Sequence, residues 1–211
     1  MVGKPVRQET GATGLTTDAG EAIRLFTAID LPEEVKQSLV RLCHGIPGVR
    51  WVKPEQLHLT LRFIGSVNQE CFSGIREMLS GIGAPPVTLT LNRVGAFPAT
   101  GPPRVLWAGI ERSGELASLR DQVEKVLVAA GCEAETRLFS PHITLARLKD
   151  VPRSLILPYL TQHASFSEGP FEVKEFRLYS SVLSRQGSHH TVEKSYPLLA
   201  GAVPDEGRRP G

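Results

Sequence analysis

Little in this sequence of 211 residues marks a specialised class of protein. It has only three cysteines, Cys43, Cys71 and Cys132, widely spaced and in no Cys-x-x-Cys pattern. Neither a disulfide framework nor a zinc ribbon fits that usage, and thiols kept reduced are the plain reading. No apolar run approaches the roughly 18 residues that span a bilayer. Residues 1–20 hold Lys4 and Arg7 among Gly, Thr and Ala, without the apolar core of a signal peptide. A soluble, cytoplasmic protein with no membrane partner is therefore expected. Net charge is also small, at +2. That is too mild for a long nucleic-acid track, whose affinity needs many Lys and Arg contacts to phosphate. A short, end-specific nucleic-acid substrate stays open. There is no Gly-x-x-x-x-Gly-Lys-Ser/Thr loop for ATP phosphates, no His-Glu-x-x-His or Cys/His cluster for a metal, and no recognisable nucleophile elbow. No cofactor and no metal is expected.

What is present is the composition of a globular domain, 41% hydrophobic and 22% charged. Residues 1–20 and 203–211 are polar, Gly/Pro-rich and aperiodic, so disordered tails are expected around one domain over 21–202. Arg24 to Asp30 reads as a strand. Asp30-Leu-Pro-Glu-Glu then offers a cap, an early proline and first-turn acids for a helix with Val35, Leu39, Leu42 and Cys43 inward. Leu57 to Ile64 alternates as a strand, Cys71 to Ile82 is spaced as a helix, and Val87 to Val94 alternates again. The order then repeats: a strand over Arg104 to Ile110, a helix from Glu115 stopped by Gly131, a strand over His142 to Leu148, a helix after Pro152, and a strand over Phe171 to Ser180. Halves of about 21–96 and 104–200 thus suggest an internal duplication. Two copies related by approximate symmetry can present the same side chain to one cleft from opposite sides.

In Leu57-His58-Leu59-Thr60-Leu61 the period of two sends His58 and Thr60 to one face and the leucines to the other. Pro141-His142-Ile143-Thr144-Leu145 does the same with His142 and Thr144. The tripeptide His-x-Thr alone is weak evidence, because a third copy, His189-His190-Thr191, follows Gly187-Ser188 without apolar alternation and reads as a turn and strand start. The pair gains weight from standing at matching places in two similar halves. Imidazole has an ordinary pKa near 6.5, so one neutral and one protonated ring can serve as base and acid. Threonine hydroxyls can donate to non-bridging phosphate oxygens. That inventory suits in-line phosphoryl transfer.

His58 to Gly65 (H-L-T-L-R-F-I-G) and Phe139 to Arg147 (F-S-P-H-I-T-L-A-R) resemble the paired signatures of the two-histidine (2H) phosphoesterases. More narrowly they are similar to the RNA 2′,3′-cyclic phosphodiesterases, the 2′-5′ RNA ligase-like proteins. The likeness extends to R-L-F-T-A-I-D-L-P, W-V-K-P-E-Q-L, P-R-V-L-W-A-G and R-L-Y-S-S-V-L-S, over most of Ile23 to Leu199. Strand and helix alternation alone also permits a parallel doubly wound sheet. The resemblance implies instead an α+β, bilobal 2H phosphoesterase fold, two pseudo-symmetric halves with antiparallel sheets around a central groove and helices outside.

The resemblance further implies hydrolysis of RNA 3′ ends bearing a 2′,3′-cyclic phosphate, tRNA fragments among them, to 2′-phosphomonoesters by a monomer without a metal. On that pattern His58 is the proton donor, His142 the proton acceptor, and Thr60 and Thr144 contact the phosphate. Arg147 matches a phosphate-contacting position, although strict alternation from His142 puts it on the opposite face unless the strand bulges or ends there. Arg62 shares the His58 and Thr60 face by parity and is a second candidate. Phe139 is a candidate to stack on a base, while Trp51 and Trp107 read as core. Two alternatives remain: an RNA-end binding module without turnover, and a phosphodiesterase acting on another small cyclic phosphate or a 2′-5′ linked oligonucleotide.

Overall fold

The computed structural model describes residues 22–184 and 187–199. The tails expected at 1–20 and 203–211 lie outside the described residues. The chain opens with β1 (Ile23–Asp30), whose Leu25, Phe26, Thr27, Ala28 and Ile29 are all buried. A run buried without alternation is the mark of an interior strand covered on both faces. α1 (Glu33–Val40) follows, with Glu33 and Glu34 in its first turn where the helix dipole favours acids. Its N-cap is Pro32 rather than Asp30; Asp30 ends β1 and its carboxylate pairs instead with Lys36 at 2.7 Å and Arg177 at 2.8 Å.

β2 (Arg50–Trp51) and a 3₁₀ turn at Pro54–Gln56 lead into β3 (His58–Val67). α2 (Gln69–Met78) is capped by Asn68, whose side chain accepts from the Cys71 N–H at 2.8 Å. After β4 (Val87–Phe97) and β5 (Val105–Ile110) comes α3 (Gly114–Ala129), capped by Ser113 and buried along Leu116, Leu119, Val123 and Leu127. Those positions form one helical face. Gly131, at φ 89°, ends it as expected, because a side chain there would be strained. β6 (His142–Arg147), α4 (Arg153–Gln162), β7 (Ser167–Val173), β8 (Glu175–Ser184) and β9 (Gly187–Pro197) complete the fold. No helix among the described residues is long and apolar enough to cross a membrane.

All strand pairs are antiparallel, in the order β7-β4-β5-β6-β3-β1-β8-β9, with β2 also on β6. The parallel alternative is thereby excluded and the α+β architecture stands. At the centre, β3 and β6 meet through one ladder pair, Leu59 with Ile143, a narrow joint with β7-β4-β5-β6 on one side, β3-β1-β8-β9 on the other and the short β2 beside it on β6. Each lobe mixes early and late chain. β4 lies between β7 and β5, while β8 and β9 continue the sheet beyond β1. The single strand expected over Phe171 to Ser180 is two, broken at Lys174, because the chain crosses there from one lobe to the other. β9, expected only as a strand start, runs the full length of β8 as a polar edge strand.

One apolar core joins the helices to a single face of the sheet, taking in Leu59, Leu61, Ile143 and Leu145 together with Leu39, Ile75, Leu119 and Ile156. Leu59 and Ile143 are fully buried, and truncating either to alanine should cost about 2–5 kcal/mol. A separate small cluster, Phe26, Ala28 and Tyr179, lies on the other face. That second face carries the groove.

Candidate active site

Burial of Leu59 and Ile143 turns His58, Thr60, His142 and Thr144 to the groove face, each of them half-buried. Antiparallel pairing at Leu59 and Ile143 sets His58 toward Thr144 and Thr60 toward His142 across the joint. Both imidazoles are held alike. Nδ1 of His58 lies 2.7 Å from the Gln56 carbonyl, and Nδ1 of His142 lies 2.7 Å from the Ser140 carbonyl. A carbonyl only accepts, so Nδ1 carries the proton in both rings and Nε2 is the nitrogen that can take up or release one. No hydrogen bond from the protein engages the side chain of Thr60 or Thr144 among the described residues. A cavity of about 200 Å³ is lined by Thr60, Arg62, Phe63, Arg137, Phe139 and His142, among others.

Each motif strand bulges at the residue after its threonine. On β6, Leu106 pairs with Ala146 and Trp107 with Thr144, which leaves Leu145 without a partner. Leu145 and Ala146 are consecutively buried and the parity flips, so exposed Arg147 joins His142 and Thr144 on the groove face. Arg147 has no ion pair or hydrogen bond from its side chain among the described residues. On β3, Thr27 pairs with Arg62 and Ala28 with Thr60, leaving Leu61 out.

That bulge overturns the parity expected for Arg62. Its Nε donates to Glu124 of α3 at 2.6 Å, Nη2 to the Glu133 carbonyl at 2.5 Å, and Nη1 to the Phe63 carbonyl. Arg62 therefore ties β3 to α3 and the following loop. Phe63 takes the groove position instead, 51% exposed and with its ring 6.0 Å from that of Phe26. Phe63 and Arg147 stand at the same place in their motifs, five residues after the histidine.

The surroundings of the two histidines differ. His58 sits among rings: Phe26 at 5.1 Å, Tyr179 stacked at 6.2 Å and His190 edge-on at 5.4 Å between centroids. Burial, then the charge of His190, pushes its pKa down to about 4, against smaller opposite effects of the Gln56 carbonyl and Asp30; Arg147 adds to the lowering. His142 meets the Phe97 ring edge-on at 5.0 Å, and its carbonyl bond is exposed.

Phe139 lies half-buried against the core with the Arg120 guanidinium over its ring at 5.7 Å, at the wall of the cavity that His142 lines. Trp51 packs against the core near Tyr159. Trp107, expected in the core, lies half-buried on β5 opposite Thr144, with its ring seated over Gly95 and Gly109. A Cβ at Gly95 would come within 2.2 Å of that ring, so glycine is required there.

Sequence reasoning missed Phe63 and Tyr179, and it set His190 aside as part of a turn. The parity of β9 was the available signal, because His189 is exposed while His190 points in. Among the described residues no three His, Cys, Asp or Glu side chains are grouped so as to hold a metal ion.

The family model described as LigT-like phosphoesterase matches twice in succession, over residues 29–107 and 109–189. The chain is 34% identical over 168 residues to the RNA 2′,3′-cyclic phosphodiesterase of Archaeoglobus fulgidus, covering 78% of this chain and 94% of the relative. It is 33% identical to the protein of the same name from Escherichia coli, covering 84% and 98% respectively. The crystal structure of Escherichia coli LigT complexed with 3′-AMP superposes with a TM-score of 0.70 at 33% identity, over 84% of this chain and 99% of that one.

Proposed function

This chain belongs to the LigT-like phosphoesterase family, and from that premise we propose that it hydrolyses terminal 2′,3′-cyclic phosphates of RNA to 2′-phosphomonoesters by two-histidine acid/base catalysis. The observation that carries the reading is the matched pair of imidazoles, each with Nδ1 fixed on a backbone carbonyl, on the two strands that meet at the centre of the sheet. Water attacks phosphorus in line with the bond to the ribose 3′ oxygen. Nε2 of His142 takes the water proton as the new P–O bond forms. Nε2 of His58 gives a proton to the departing 3′ oxygen as the old bond breaks, leaving the phosphate on the 2′ oxygen. Thr60 and Thr144 donate to the non-bridging oxygens, and Arg147 holds the charge that develops on them.

The donor role of His58 follows the family pattern and has a physical condition attached. With the groove empty, burial keeps His58 neutral at pH 7. The phosphodiester brings a negative charge beside Nε2, which favours the imidazolium, so His58 acquires its proton with the substrate. Phe63 and Phe139 offer stacking surfaces for the terminal base, and the groove suits an RNA end, including that of a tRNA fragment, bound by a cytoplasmic monomer.

The test is product analysis after incubating the protein with an oligoribonucleotide ending in 2′,3′-cyclic phosphate. Turnover to a 2′-phosphate end, unchanged by EDTA, is the expected result. Tight binding without product supports a binding module instead, and exclusive turnover of small cyclic nucleotides or 2′-5′ linkages supports the other phosphodiesterase reading.

A further inference from the structure

β9 begins at the mouth of the groove. The Gln56 amide donates to the Ser188 carbonyl, while the backbone carbonyl of Gln56 holds Nδ1 of His58. Gly187 lies against the Arg50 guanidinium, where a Cβ would stand 3.2 Å from Nη2, and Arg50 is the cross-strand partner of Arg147. These contacts seat residues 187–190 over the junction of β2, β3 and β6. Opposite Ser181 of β8, His190 turns inward and brings its ring edge-on to His58 at 5.4 Å and to Phe26 at 4.9 Å.

The half-buried His190 ring has no hydrogen bond among the described residues. Its neighbours are cationic or able to become so: His58 on β3, Arg147 on β6 and His189 on β9 itself. The one carboxylate near His58 is Asp30 of β1, already held by Lys36 of α1 and Arg177 of β8. Tyr179 of β8 adds a ring and no negative charge at neutral pH, since burial raises its pKa. A titratable ring set among cations, in a groove without an unpaired anion of its own beside it, is complementary to an anionic ligand.

We propose that His190 is a further substrate-contacting residue of the His58 half-site, donating from its imidazolium to a phosphate oxygen that Arg147 also holds. This rests on the reading of the groove as a phosphate site and adds a residue to it. The consequence is linkage. In the empty groove, burial and then His189 and Arg147 disfavour the charged ring. A bound phosphate reverses that balance, so binding of the phosphomonoester and protonation of His190 strengthen each other. The half-site then grips its product more firmly as the pH falls.

The experiment measures binding of inorganic phosphate and of a ribonucleoside 2′-monophosphate to the full chain by calorimetry at pH 7.5 and 5.5. The variants are His190→Gln, which keeps polarity without a titratable charge, and His190→Phe, which keeps the aromatic contact with Phe26. In the wild type, affinity should rise about tenfold toward the lower pH, the scale of one charge-assisted hydrogen bond. In both variants the ratio should fall to about threefold or less, the remainder belonging to His58 and to the phosphate's own protonation at about pH 6. A response confined to the 2′-monophosphate supports a contact that needs the ribose of the product. A wild-type ratio preserved in both variants, or no binding of either probe at pH 5.5, overturns the proposal. Failure of the wild type to hydrolyse cyclic-phosphate RNA bears on the proposed reaction alone, because these binding ratios need no turnover.

Discussion

His58 and His142 share a backbone setting down to the carbonyl two residues back and the bulge after the threonine, yet their side-chain surroundings diverge. Around His58 the groove is lined by Phe26, Tyr179 and His190, and the equivalent bulge presents Phe63. Around His142 the one ring that approaches among the described residues is Phe97, and the bulge presents Arg147. A symmetric scaffold thus delivers two imidazoles with the same reactive nitrogen, and burial among its neighbours lowers the proton affinity of His58. His58 can serve as the acid only once the phosphodiester beside Nε2 favours its imidazolium.

The severest way to break the comparison is to remove each ring. His58→Ala and His142→Ala should each lower kcat for cyclic-phosphate RNA by about 10²–10⁴-fold, the usual share of a positioned acid or base. Retention of activity in either variant, measured by product formation under single-turnover conditions, would show that one half-site suffices.

Next in size is the contrast between the two arginines. Arg62 and its partner Glu124 have side chains only 9% and 15% exposed. Arg62→Ala should cost about 1–3 kcal/mol of stability, because the largely buried Glu124 loses its shortest ion pair and keeps only Arg120 at 3.7 Å and the Glu135 N–H, while kcat at a temperature where the variant is folded changes little. Arg147→Ala should do the reverse: stability stays near wild type, and kcat/KM drops about 10- to 100-fold as a charged contact to phosphate is lost. Denaturant midpoints and initial rates on the same two variants check both halves. An equal loss of activity in the two would erase the distinction drawn from the bulge.

That distinction also shows where the sequence was legible. Alternation in His58 to Leu61 and His142 to Leu145 placed the two histidines, the two threonines and the apolar faces without any coordinates. Helical spacing, capping residues and the repeated order found the four helices of the described residues, and Gly131 marked the end of α3. The backbone irregularities were illegible: nothing in Leu61 or Leu145 signals a bulge, and a one-residue slip moves every later side chain to the other face. Arg62 was misassigned for that reason, and Arg147 looked misplaced. The crossing at Lys174 was hidden in the same way, since β7 and β8 read as one run until pairing partners are known. His190 was lost to composition, because Gly187-Ser188 reads as a turn and the strand after it is a polar edge.

The gentlest test uses pH on stability alone. His58 has its pKa lowered to about 4, chiefly by burial, while an unfolded histidine titrates near 6.5. Above 6.5 both states carry a neutral ring and the fold has its full stability. Between 6.5 and 4 the unfolded chain binds the proton and the folded one resists it, so stability declines as the pH falls. From pH 7.5 to 5.0 that decline should amount to about 1–2 kcal/mol, read from urea midpoints. Substituting His58→Gln should remove most of it, His190 and His163, whose pKa values burial also lowers, accounting for what remains. A slope unchanged by His58→Gln would mean that the packing of Phe26, Tyr179 and His190 around His58 does not disfavour its imidazolium in the folded protein.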